Sequence, residues 1–95
     1  MVFVHGGYWL RFSPRDWTHL AAGAVAAGWA VALPGYPLAP EARVSEITRI
    51  VAARIAEAAD EVPGPIALAG HSVGGHLTCR MLAPGMLPEA VLARI

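Results

Sequence analysis

The chain has no lysine, one cysteine, little charge of either sign and no long hydrophobic run, and each shortage excludes something. Its 95 residues carry seven arginines against seven acids, so the formal net charge is zero. A balance of that kind lacks the basic footprint of a nucleic-acid binder. A single cysteine, Cys79, cannot close an internal bridge. That excludes a disulfide-stapled secreted scaffold and points to a reducing, cytoplasmic setting. The longest apolar stretch, Leu20 to Leu33, is broken by glycines and falls short of the roughly 20 residues that span a bilayer. No charged segment precedes an apolar core at Met1, so neither a signal peptide nor a membrane partner is expected.

What the chain does have is hydrophobicity. Apolar residues make up 56% of it and charged residues 15%, which excludes a disordered chain. A domain this short buries only about 60–65% of its unfolded surface, so surface positions should outnumber core positions. The composition is therefore that of the middle of a larger protein. Nineteen alanines, and arginine in place of lysine, fit a GC-rich genome and carry no function.

Met1 to Val4 is a short apolar run that reads as a buried strand, broken by His5-Gly6-Gly7. Ser13-Pro14-Arg15-Asp16 is a helix start, with Ser13 as N-cap, Pro14 at the first helical position and Asp16 reaching back. That helix is expected to run to about Ala27, with Gly28 as its terminating glycine. Trp29 to Leu33 reads as a second buried strand. Prolines 34, 37 and 40 make the next stretch a loop. From Ser45 the pattern turns helical, with Ile47, Ile50, Val51, Ile55 and Ala58 on one face, and Pro63-Gly64-Pro65 ends it. Ile66 to Ala69 is a third strand, followed by Gly70-His71-Ser72-Val73-Gly74-Gly75 and a helix over His76 to Leu82. The tail from Pro88 is compatible with a helix or a strand.

Strands that alternate with helices and are apolar throughout predict an α/β fold: three layers, with a parallel sheet covered on both faces. Three parallel strands alone have two open edges, which natural domains cover or pair. The expectation is one partial domain over residues 1–95, cut from a wider sheet at both ends and able to self-associate along its open edges.

Two motifs carry chemistry. Gly70-His71-Ser72-Val73-Gly74 stands between an apolar run and a helical segment, the setting of a G-x-S-x-G nucleophile elbow. A sharp strand-to-helix turn projects the Ser72 hydroxyl at the tip of the sheet. Gly70 and Gly74 let the backbone pack there, and the Val73 N–H faces a developing oxyanion. The bland alternative is a helix-entry turn with Ser72 as a mere cap. The second motif, His5-Gly6-Gly7-Tyr8-Trp9, follows the first strand directly. Its glycines allow main-chain N–H groups to turn inward, and preorganised donors of this kind contribute roughly 10²–10³ in rate each.

The pair HGGYW and GHSVGGHL, joined by YPLAPE and the helix VSEITRIV, resembles the α/β-hydrolase superfamily. Within it, HGGxW is the mark of the arylformamidase (kynurenine formamidase) group. YPLAPE is similar to the YRLAPE of hormone-sensitive-lipase-like esterases, with Pro37 in place of arginine and Tyr8 in place of the fourth motif glycine. The resemblance covers essentially the whole chain and implies the third, fourth and fifth strands of an eight-stranded fold. It implies Ser72 as nucleophile and the backbone N–H groups of Gly7, Tyr8 and Val73 as oxyanion donors. Gly6 would permit the turn, His5 would hold the loop and Trp9 would line or brace the site. The implied activity is hydrolysis of an N-formyl anilide such as N-formylkynurenine, a step of tryptophan catabolism, with no cofactor. A small-acyl carboxylesterase is the alternative.

The departure from the family pattern matters as much. The triad should follow in the order serine, acid, histidine. The 23 residues after Ser72 contain no aspartate, one acid (Glu89) and one histidine (His76), in the reverse order. A serine hydroxyl needs an adjacent base, so this segment alone is expected to be inactive, or to act only as a structural or interacting piece. His71 and His19 read as packing or surface residues, and Asp16 and Asp60 precede the elbow. Cys79 reads as a small core residue, and Trp17 and Trp29 as packing between helix and sheet. No spacing suits a metal site.

Overall fold

A computed structural model gives the fold of residues 1–95. Val2–Val4 forms β1 and Leu68–Gly70 forms β2, paired in parallel with Val2 opposite Leu68 and Val4 opposite Gly70. On the other edge of β1 runs the segment after Gly28. The Met1 amino group donates to the Ala30 carbonyl at 2.7 Å, Ala32 N–H to Met1 at 2.9 Å and Phe3 N–H to Ala32 at 2.9 Å. β1 is thus the central stretch of three. The expected second strand over 29–33 is reduced to a single bridge between Val2 and Ala32. Its ends are unavailable for pairing: the Trp29 N–H is bonded to the Ala24 carbonyl, and Pro34 has no N–H to give.

Alternation along β1 decides which face carries the core. Val2 and Val4 are buried on one side, against α2 (Val44–Glu61), α3 (Val73–Met81) and the short α4 (Glu89–Leu92). Ile47, Val51 and Ile55 of α2 and Leu77 and Met81 of α3 are fully enclosed there. Phe3 faces the other way, its ring 6.0 Å from that of Trp17. Trp17 belongs to a 3₁₀ helix, Pro14–Leu20, which continues into α1 (Ala21–Ala26). The three-layer α/β arrangement is therefore present, with unequal layers. No residue of the 14–26 layer is buried, and Leu20, Val25 and Trp29 stand exposed. Trp29 does not pack between helix and sheet as its apolar setting suggested: it stands 39% exposed just past α1, where the covering layer is thin. The surplus hydrophobicity of the composition lies at the surface.

Local signals act largely as expected. The Asp16 carboxylate accepts the Ser13 N–H at 2.8 Å and its hydroxyl at 3.3 Å. The helix that follows is not one α-helix over 14–27. Its first turns wind tightly as 3₁₀, a common form at helix starts, before α1 ends ahead of Gly28 at φ +87°. Glu46 accepts the Arg43 N–H at 2.7 Å and so starts α2 one residue early. α3 begins directly after Ser72, three residues before the expected start at His76, since the turn itself delivers helical backbone: the His76 N–H already bonds to Ser72. Val73, Leu77 and Met81 share the inner face of α3. Cys79 lies off that stripe and is exposed, so it is not a core residue. No helix is long and apolar enough to cross a membrane.

One side chain closes the far end of α2. The Arg94 guanidinium donates to the carbonyls of Ala59 (2.7 Å), Gly64 (2.8 Å) and Val62, while its own carbonyl accepts the Ile66 N–H at 2.7 Å. Helix-end carbonyls have no partner within the helix, so the cation satisfies what α2 leaves open. Arg94→Ala should lower unfolding stability by about 1.5–3 kcal/mol, the range for hydrogen bonds to a charged group. Urea denaturation measures it, and an unchanged midpoint would show that the cap contributes nothing.

Candidate active site

Ser72 sits at the carboxyl end of β2, immediately before α3, with φ +55° and ψ −119°. A non-glycine residue held in such a region costs of order 1–3 kcal/mol and persists only where its surroundings dictate it. The surroundings are backbone. A Cβ on Gly70 would run into the main chain of Gly74 and Gly75. One on Gly74 would meet the carbonyls of Val4 and His5, at the end of β1. Both motif glycines are thus required by close crossings. Gly75 is different: its nearest neighbour would be the Gly70 carbonyl at 3.4 Å, an ordinary contact. The parallel ladder continues to the turn itself, with the His71 N–H bonded to Val4 at 3.1 Å.

The loop after β1 lies against this turn. A Cβ on Gly6 would approach the His71 carbonyl at 2.8 Å and the Ser72 Cβ at 3.2 Å. Gly7, Tyr8 and Trp9 have φ of +125°, +55° and +59°, so the chain curls tightly. The Gly7 carbonyl accepts the N–H groups of Leu10 (2.9 Å) and Arg11 (3.1 Å). A peptide unit is planar, with its C=O and the following N–H pointing oppositely, so fixing one fixes the other. The bonded Gly7 carbonyl turns the Tyr8 N–H out of the curl. The Gly6 carbonyl, 2.8 Å from His5 Nδ1, fixes the Gly7 N–H in the same way. The Ser72 carbonyl, taken by His76 as the first bond of α3, fixes the Val73 N–H. None of the three N–H groups donates to another backbone group outside the regular elements, and Val73 heads its helix, where such donors are free. An arrangement of this kind can receive negative charge on an oxygen beside Ser72.

The flanking side chains are mainly aromatic. Trp9 is half-buried and meets His76 edge-on at 5.9 Å, whereas Tyr8 is 72% exposed. His71 lies on Trp17 at 5.1 Å, so Trp17 reaches the turn as well as the sheet. His5 is buried, and its bonds go to Gly6 and Tyr36. Asp16 is engaged by Ser13, Asp60 lies exposed near the end of α2, and Glu89 opens α4. None of these groups provides Ser72 with a base. No three His, Cys, Asp or Glu side chains gather where a metal ion could be held. A cleft of about 280 Å³ lies at the opposite end of the strands, lined by Met1, Ala30, Ala58, Val62 and Ile66, and contains no candidate residue. Tyr36 is the residue near the site that the sequence did not single out. It stacks on His5 at 4.3 Å and donates its hydroxyl to the His5 carbonyl at 2.8 Å.

The strain at position 72 can be measured. Glycine relieves a positive φ that alanine must bear, so Ser72→Gly should be more stable than Ser72→Ala by about 1 kcal/mol, even though glycine is normally the weaker residue. Thermal denaturation of both variants decides it; an alanine variant at least as stable would mean the turn is unstrained.

Comparison with known proteins places this geometry. Residues 1–94 match the model of the alpha/beta hydrolase family. The chain is 32% identical over 99 residues to a kynurenine formamidase of Salmo salar, covering 100% of this chain and 33% of the relative. A kynurenine formamidase of Danio rerio is 33% identical over 87 residues, covering 87% and 29%. A crystal structure of a protein from Silicibacter sp. TM1040, given a provisional thioesterase assignment, superposes with a TM-score of 0.97 at 61% identity. That match covers 99% of this chain and 36% of the other. The chain spans about a third of the length of these relatives. A family match over nearly every residue, on a parallel pair that ends in a strained serine turn, gives the assignment: the chain belongs to the alpha/beta hydrolase family.

Proposed function

We propose that this chain carries the nucleophile and the oxyanion hole of a serine hydrolase that cleaves a small formamide. The observation that carries the reading is the strained Ser72 set beside three N–H groups whose orientations are fixed by their own peptide planes. Ser72 Oγ attacks the formyl carbon, and the carbonyl oxygen becomes an anion held by Gly7, Tyr8 and Val73. Collapse expels the arylamine, which takes a proton as it leaves, and water then releases formate from the serine. A histidine oriented by an acid would move those protons, supplied by chain outside these residues. The two kynurenine formamidases support an N-formyl anilide such as N-formylkynurenine as substrate.

The 61%-identical Silicibacter protein favours a second reading, in which the acyl group arrives as a thioester or ester. The site chemistry is shared, but the demand on the acid differs. A thiol, with an ordinary pKa near 8.5, can leave as the anion, whereas an arylamine must be protonated. The exposed thiol of Cys79 fits a reducing compartment such as the cytoplasm.

With imidazole added as the base that these residues lack, a fluorophosphonate probe should form a covalent adduct on the 95-residue chain at Ser72 and none on Ser72→Ala. The same external base should permit Ser72-dependent hydrolysis of N-formylkynurenine, with no steady turnover in its absence. A thioester hydrolysed at least tenfold faster under the same conditions would favour the second reading. Absence of any Ser72 adduct would leave a catalytically silent piece.

A further inference from the structure

We infer that Tyr36 is a positioning residue, which with the Ala39 backbone clamps both ends of the His5–Trp9 loop and so fixes the direction of its oxyanion donors. The inference rests on the reading of that loop as an oxyanion hole and goes beyond it, since it concerns a residue 31 positions away in the chain. At the loop's start, the Tyr36 hydroxyl donates to the His5 carbonyl at 2.8 Å, and its ring lies flat on the His5 imidazole, 4.3 Å between centroids and 8° between planes. At the loop's end, the Ala39 N–H donates to the Trp9 carbonyl at 2.7 Å.

Between these two points the restraint passes from one peptide plane to the next. Stacking sets the imidazole, whose Nδ1 lies 2.8 Å from the Gly6 carbonyl. With the proton on Nδ1 the ring donates to that carbonyl, and the same peptide carries the Gly7 N–H. His5 Nε2 is buried with no hydrogen-bond partner, so the ring's polar contacts are those of Nδ1 alone, to the Gly6 carbonyl and, at 3.4 Å, to the Tyr36 hydroxyl. At the other end, the Trp9–Leu10 peptide is held on both sides. Its carbonyl takes the Ala39 N–H, and its N–H goes to Gly7 O. That last bond fixes the plane that carries the Tyr8 N–H. Two residues of a proline-rich loop, Tyr36 and Ala39, therefore hold the donors in place without touching the reacting atoms. Burial pushes the Tyr36 phenol up to about 12, so it remains a donor throughout neutral and mildly alkaline pH.

The test is Tyr36→Phe in the 95-residue chain, which keeps the stacking ring and removes the hydroxyl. With a fluorophosphonate probe and imidazole as the external base, the maximal labelling rate at Ser72 should fall about 3–10-fold, the factor one ordinary hydrogen bond supports, while the probe concentration for half-maximal rate stays constant. A merely structural role would move neither value in a variant whose far-UV circular dichroism is unchanged. Backbone ¹⁵N relaxation gives an arm free of the labelling chemistry. Gly7 and Tyr8 amides should have order parameters near those of rigid backbone, about 0.85, in the wild type and should fall towards 0.6 in Tyr36→Phe, with α2 and α3 unaffected. Wild-type chain that fails to label even with imidazole supplied as the base would refute the hydrolase reading and leave the clamp to be judged by relaxation alone. Labelling at equal rates in both proteins, or amides already mobile in the wild type, would overturn the clamp.

Discussion

The close passage of two backbones at the carboxyl ends of β1 and β2 is the constraint on which the rest depends. Gly74 lies under the carbonyls of Val4 and His5, Gly70 lies under the first turn of α3, and Gly6 lies against Ser72. No side chain fits at any of these crossings. Because they are tight, the serine between them is forced to a positive φ and the loop opposite is brought within contact distance of its Cβ. The strain stored at one residue and the empty Cβ positions of three others are two sides of one arrangement.

From that crossing follows a site made almost wholly of main chain. Backbone donors need no rotamer to be chosen and lose little freedom when they are used, so their value lies in being already aimed. The aim comes from carbonyls bonded on the far side of each peptide plane. The support beneath is one-sided: α2, α3 and α4 enclose the core against Val2 and Val4, while the 14–26 layer buries no residue of its own. The site therefore rests on the well-packed face, through α3 and β1. The thin face contributes Trp17, which reaches both Phe3 and His71.

What the sequence made legible was whatever depends on local chemistry. The elbow could be read from Gly70 and Gly74, because a strained strand-to-helix turn demands glycine at those spacings whatever surrounds it. The helix start at Ser13 was legible for the same reason, since the Asp16 carboxylate meets the Ser13 N–H three residues away. α2 was legible from its apolar periodicity alone, which places its start one residue late. Features set by distant partners were not. The Trp29–Leu33 run is as apolar as a strand, yet the Trp29 N–H is claimed by α1 and Pro34 just past the run has none to give, so pairing with β1 is confined to the stretch around Ala32. Trp29 lies exposed because the covering layer is thin, and Cys79 lies outside because the inner stripe of α3 is Val73, Leu77 and Met81. Tyr36 looked like an ordinary loop residue between prolines. Only the return of the chain to His5 gives it a role.

The most direct measurement is the amide spectrum of the chain before and after phosphonylation of Ser72, which places an oxyanion-like oxygen where a tetrahedral intermediate would carry one. The amide protons of Gly7, Tyr8 and Val73 should move downfield together, as three donors meeting one acceptor. An adduct at Ser72 that leaves those three resonances in place while others shift would show that the hole is formed elsewhere, or not formed by this chain.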